Sequence, residues 1–239
     1  MGGYTPSKTT WLNPNIEYLF GDEIIEYDMR DAGFNLIKQY RLLPDEKIRE
    51  LSMIPKGYER NVQVGILQRE DKVFSQALLS KFAEMRKIFI ETNGLKDDDI
   101  ISVKKDAIFT IGSVKRTRFG GVTFIPKNQY TSYLRFPGIN NLEIYYASGN
   151  MDIKGMGDQA VNRHRLYMYD FIRSVINMIE NKSSRVKRYL IQFISDYKNH
   201  ELEDPFYVEF NSLSKDINPV FNFQNIVVPL VQIVIKELN

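Results

Sequence analysis

Between Asp71 and Glu91 the apolar residues Val73, Phe74, Ala77, Leu78, Phe82, Met85, Ile88 and Phe89 recur at helical spacing, so they form one stripe that must be buried against a partner surface. Asn93-Gly94 follows at once, and a glycine there ends a helix because it takes the left-handed conformation without a Cβ penalty. Two short apolar runs come next, Ile100 to Val103 and Ala107 to Ile111, separated by Lys104, Lys105 and Asp106. That spacing predicts a tight hairpin with Asp106 at or beside its turn. A one-sided helix delivered into a hairpin calls for a sheet lying on that helix.

Upstream, EIIEYDMR at 23 to 30 alternates, with Ile25, Tyr27 and Met29 on one face and Glu26 and Asp28 on the other. It reads as a strand with Asp28 near its end. Residues 32 to 52 read as a two-piece helical segment broken at Pro44, and Asn61 to Leu67 as a weak apolar segment around Gly65. Residues 1 to 20, with Gly2, Gly3, Pro6 and Pro14 and no sustained period, are expected to be an extended arm of poor intrinsic order.

Downstream, Val122 to Ile125, Tyr130 to Phe136 and Leu142 to Tyr146 are predicted strands, and the sheet is expected to be antiparallel. After Gly155 and Gly157 the period turns helical, with one helix along Val161 to Ile179 and another from Val186 to Tyr197. Ile226 to Leu238, interrupted by Pro229, is open between strand and helix.

A chain of 239 residues without cysteine excludes a disulfide framework, a zinc-thiolate site and a thiol nucleophile. No run approaches the roughly 18 apolar residues of a membrane span, and no signal peptide is evident, so a reducing, cytoplasmic setting is expected. A net charge of +2 assigns any nucleic-acid affinity to local clusters such as Lys115, Arg116 and Arg118, or Lys182, Arg185, Lys187 and Arg188. The run Asp97, Asp98 and Asp99 reads as a solvated loop.

His164 and His200 are the only histidines, and GxxxxGK[ST] and GxGxxG are both absent. What remains is Asp28 and Asp106, 106 − 28 = 78 positions apart, each at or beside the end of a predicted strand. Two carboxylates on adjacent strands suit Mg²⁺, a hard cation that prefers oxygen ligands and, in pairs about 3.5–4 Å apart, drives phosphoryl transfer.

Three stretches in order carry a family resemblance. EYDMRDAGFNLI at 26 to 37 resembles motif A of family B DNA polymerases, with Asp28 at the metal-binding aspartate; KKDAIFTI at 104 to 111 resembles motif C, with Asp106 at its second aspartate and Lys104 where the first usually stands. ALLSKFAEMRKIFIETNG, between them, is similar to the helix that leads from the fingers to motif C. KNQYTSYLRF at 127 to 136 is similar to the strand that touches the primer terminus, and MDIKGMGDQAVNRHRL at 151 to 166 to the entry into the thumb.

The resemblance implies an α+β fold: an N-terminal arm at 1–20, an antiparallel-sheet palm at 21–155 with reduced fingers at about 38–70, and a helical thumb-like subdomain at 156–239. It implies a DNA polymerase-like nucleotidyltransferase using Mg²⁺ or Mn²⁺, with Asp28 and Asp106 as catalytic metal ligands. Lys115, Arg116, Arg118, Lys127, Tyr130, Arg163 and Arg165 are then expected along the nucleic acid, and Arg69, Lys72 and Arg86 at the nucleoside triphosphate. Expected partners are a DNA primer-template and nucleoside triphosphates, with another replication protein as a further candidate, in host cytoplasm if the source is viral. Lys104 and the short fingers keep two alternatives open: a degenerate palm that binds without catalysis, and one subunit of a split polymerase.

Overall fold

The structure, a computed structural model, describes residues 4–5, 9–136, 142–148, 150–155, 168–202 and 226–237. It divides into two compact units, one of residues 1–16 and 23–129 and the other of 17–22 and 130–239. Besides the short excursion at 17–22, the cut between the units falls at 129/130.

The first unit holds strands β1 (Trp11–Leu12), β3 (Ile100–Val103), β4 (Ala107–Ile111) and β5 (Arg118–Phe119), with the larger parts of β2 (Tyr18–Met29) and β6 (Val122–Phe136). The order is β1-β3-β4-β2-β6, with β5 on β6, and the registered pairs are antiparallel. Four helices complete it: α1 (Ala32–Tyr40), α2 (Asp45–Met53), α3 (Tyr58–Glu70) and α4 (Lys72–Asn93).

α4 is the expected helix. Asp71 accepts from the N–H groups of Val73 and Phe74, and Gly94 closes the other end at φ 66°, so both orphan ends are capped. Phe74, Leu78, Phe82, Met85 and Phe89 pack with Ile25, Tyr27, Met29 and Ile108 of the sheet. Val73 is 78% exposed and leaves the stripe.

Pro44 divides α1 from α2 as expected. The segment around Gly65 is helix α3, whose Val64 Cγ1 lies 3.0 Å from where a Cβ on Gly33 would sit. Glycine at 33 lets α1 and α3 approach closely.

The N-terminal segment is not a loose arm. Trp11–Leu12 pair with Val103 and Ser102, and Asn13, 1% exposed, donates through Nδ2 to the carbonyls of Asp97 and Ile100. An amide making several bonds at one buried point fixes a segment that lacks any period. The acidic run at 97–99 forms one turn of 3₁₀ helix.

The second unit holds the part β2-β6-β7-β8 of the strand order, with β7 (Leu142–Ala147) and β8 (Asn150–Lys154) joining its shares of β2 and β6. Helices α5 (Met168–Glu180), α6 (Val186–Lys198) and α7 (Val228–Glu237) pack on it through Phe171, Ile172, Val175, Leu190, Leu230 and Ile233 against Leu134, Phe136 and Ile144. The open segment at 226–238 is thus a helix, with Pro229 in its first turn where no N–H is needed.

β6 runs unbroken through Pro126 where two strands were expected. Its registered partners on the edge away from β2 are β5 at 122–123 and β7 at 132–136, and a residue without N–H is tolerated on an unpaired stretch between them. The chain is accordingly mixed α+β with an antiparallel sheet.

Candidate active site

β2 stops at Met29 because Asp31 adopts φ 47°, ψ 47°, a left-handed conformation that turns the chain into α1. Asp28 stands opposite Ala107 in the β2–β4 register, and the Met29 N–H donates to the Asp106 carbonyl at 2.8 Å. The hairpin closes with the Lys104 N–H donating to the Ala107 carbonyl at 2.8 Å, which leaves Lys105 and Asp106 at the corner. Asp28 shares a strand face with Glu26, whereas Asp106 comes from the turn, where strand alternation ends. The two aspartates are thus brought to the same end of the sheet, one register step apart.

The turn is held from beneath. Arg86, fully buried on α4, donates through Nη1 to the Lys105 carbonyl at 2.5 Å and through Nε to the Tyr4 hydroxyl at 3.1 Å. Lys105 Nζ lies 5.0 Å over the Phe82 ring and donates to Gln68 Oε1 at 3.1 Å. Both bonds tie the corner before Asp106 to the helices.

A polar patch surrounds Asp28. Lys127 Nζ on β6 lies 4.0 Å from Asp28 Oδ2 and 3.9 Å from Glu26 Oε1. Glu26, 3% exposed, also accepts from Asn128 Nδ2 at 2.6 Å, a bond that makes a buried carboxylate tolerable. The Arg30 N–H donates to the Thr123 carbonyl at 2.9 Å, and Thr123 pairs with Arg118. Arg118, exposed like Arg30, therefore reaches the end of the sheet that carries Asp28.

The other expected contacts divide. Lys115 and Arg116 are exposed, on a loop pinned to the end of α4 by reciprocal bonds between Arg116 and Asn93, each at 2.8 Å. Arg69 and Lys72 are exposed at the α3–α4 junction. Arg86 has no accessible surface to offer a triphosphate; its guanidinium is spent inside the core. Tyr130 is 6% exposed, tilted on Tyr145 at 5.2 Å with its hydroxyl donating to Asp152 at 2.9 Å, so it does not present a ring for base stacking. Arg163 and Arg165 lie outside the described residues.

One element of the site had no counterpart in the sequence reading. Asp31 Oδ2 and Arg60 Nη1 form a 2.7 Å ion pair with side chains 12% and 5% exposed. The Arg60 guanidinium also lies 4.4 Å over Phe34 and donates to the carbonyls of Ser52 and Ile54. A polar residue three positions beyond Asp28, just ahead of a helix, was the available signal for Asp31; Arg60 had none.

Among the described residues no group of three or more His, Cys, Asp or Glu is placed to hold a metal ion. Mg²⁺ at phosphoryl-transfer sites is commonly held by one or two carboxylates with substrate phosphates supplying further oxygens. Asp28 and Asp106 are oxygen donors of that kind, on chain segments that the register brings to the same end of the sheet.

No helix among the described residues is long and apolar enough to cross a membrane. A search of curated proteins finds no match to the chain. A family profile described as Bacteriophage PBS1 gene 130 protein matches residues 3–239, and the chain belongs to that phage protein family.

Proposed function

We propose that the chain is a divergent palm-type nucleotidyltransferase that extends a nucleic-acid 3′ end with Mg²⁺ or Mn²⁺ in host cytoplasm. The observation that carries this reading is the Met29 N–H bond to the Asp106 carbonyl, which joins the strand end bearing Asp28 to the turn bearing Asp106. In the reaction the 3′ hydroxyl releases its proton to solvent, its oxygen bonds to the α-phosphorus, the bond from the α-phosphorus to the bridging oxygen breaks, and pyrophosphate leaves. A bound cation would lower the barrier by neutralising phosphate charge and activating the 3′ hydroxyl. Asp28 and Asp106 would hold that cation. Lys115, Arg116 and Arg118 lie along the nucleic acid, Lys127 near the primer end, and Arg69 and Lys72 toward the triphosphate. The helices of 156–239 serve as the thumb.

A second reading, binding of nucleic acid or a replication partner without catalysis, is favoured by two cations. Lys104 stands beside the Asp106 turn, and Lys127 lies 4.0 Å from Asp28.

Primer extension with Mg²⁺ or Mn²⁺ tests the first reading against the second, using the wild type, Asp28→Ala and Asp106→Ala, with fluorescence anisotropy for primer-template binding. Incorporation by the wild type that both substitutions abolish, with binding retained, supports catalysis. Retained binding with no incorporation by any form leaves the second reading.

A further inference from the structure

The second unit contains a cavity of about 610 Å³ that the reading above does not use. Its size is that of small-molecule sites. Phe20, Met178 and Val186 supply apolar walls, and Glu180, Glu237 and Lys182 supply charge.

Two helices end at this cavity, α5 at Glu180 and α7 at Glu237. A helix C-terminus carries partial negative charge and favours cations, and here each coincides with a carboxylate. Both carboxylates are positioned. Ser132 Oγ donates to Glu180 Oε1 at 2.5 Å, and the Tyr18 hydroxyl, its pKa pushed up first by burial, is hydrogen-bonded to Glu237. The end of α5 is tied off by the Lys182 and Ser183 N–H groups donating to the carbonyls of Ile179 and Met178.

We infer that this cavity binds an ammonium group on an aliphatic stem, with Glu180, Glu237 and the two helix ends facing the charge and Phe20, Met178 and Val186 facing the methylenes. An anion would meet two carboxylates and two negative helix ends against one lysine. A neutral apolar ligand would strip water from the carboxylates without replacing it. The same chemistry is offered by a free polyamine and by a lysine side chain of another protein.

Isothermal titration of the full chain at low salt, with spermidine and separately with an N-acetylated lysine peptide, tests the inference. Glu180→Gln and Glu237→Gln keep an oxygen to accept the bonds from Ser132 and Tyr18 and remove only charge. Lys182→Ala changes an exposed side chain and removes the opposing charge. The expected result is one saturable site for at least one probe, weakened about fivefold by each glutamine and tightened by Lys182→Ala; the probe that saturates identifies the source. No saturation by either probe, indifference to all three substitutions, or equal displacement by Mg²⁺ overturns it.

Discussion

Asp31 and Arg60 are joined by a 2.7 Å ion pair that is almost entirely shielded from water, and it fastens α3 to the turn three residues beyond Asp28. Removing one member of such a pair leaves an uncompensated buried charge. Arg60→Met is expected to lower stability by about 3 kcal/mol in urea unfolding. Replacing both residues, Asp31→Asn with Arg60→Met, is expected to cost less than the sum of the single changes.

Lys127 is half exposed and about equidistant from Asp28 and Glu26, so its ammonium neutralises Asp28, one of the two carboxylates that the proposed metal would use. Lys127→Met is expected to tighten Mn²⁺ binding about threefold to tenfold, a modest effect because solvent screens an exposed lysine. Electron paramagnetic resonance of free Mn²⁺ measures this without reference to turnover. Unchanged affinity, with Asp28→Asn still weakening binding, would show that Lys127 does not oppose the metal.

How much of this was legible depended on how local each determinant is. The α4 stripe, Pro44, the Gly94 cap and the 104–107 turn are written in a few adjacent residues, and all four appear in the structure. The anchoring of the N-terminal segment through Asn13 and the burial of Arg86 and Tyr130 were not legible because the partners are distant in sequence: Ile100 for Asn13, Lys105 for Arg86, Asp152 for Tyr130. A charge or an aromatic ring reads as surface or ligand until the fold shows what it is packed against. Asp28 and Asp106 could be nominated from their strand ends, but their one-step offset follows from a register that no local pattern fixes.

Tyr133 is fully buried on β6, and its hydroxyl has no hydrogen-bond partner. Tyr133→Phe removes an unsatisfied polar atom and is expected to stabilise the protein by about 1 kcal/mol. Burial, followed by the charge of Glu143, holds the tyrosine neutral well beyond its ordinary range. A pKa raised on folding means stability that is complete below about pH 10 and declines as pH rises above it, when the unfolded chain releases the proton first. Alkaline unfolding of the wild type followed by tyrosinate absorbance should begin earlier than that of Tyr133→Phe.

Arg86 offers the most direct check on how the Asp106 turn is held. Its Nη1 bond to the Lys105 carbonyl reaches the corner from inside the core, and Asp106 in turn accepts from the Met29 N–H. Arg86→Met keeps much of the side-chain volume but leaves the Lys105 carbonyl without that donor, at an expected cost of about 2–3 kcal/mol. The loss should not be uniform. Native-state hydrogen exchange of the Met29 and Lys104 amides should accelerate more than that of the α5 and α6 amides in the second unit, because only the former close the turn. Equal acceleration across both units would mean that Arg86 acts on global stability alone and that the turn holds Asp106 without it.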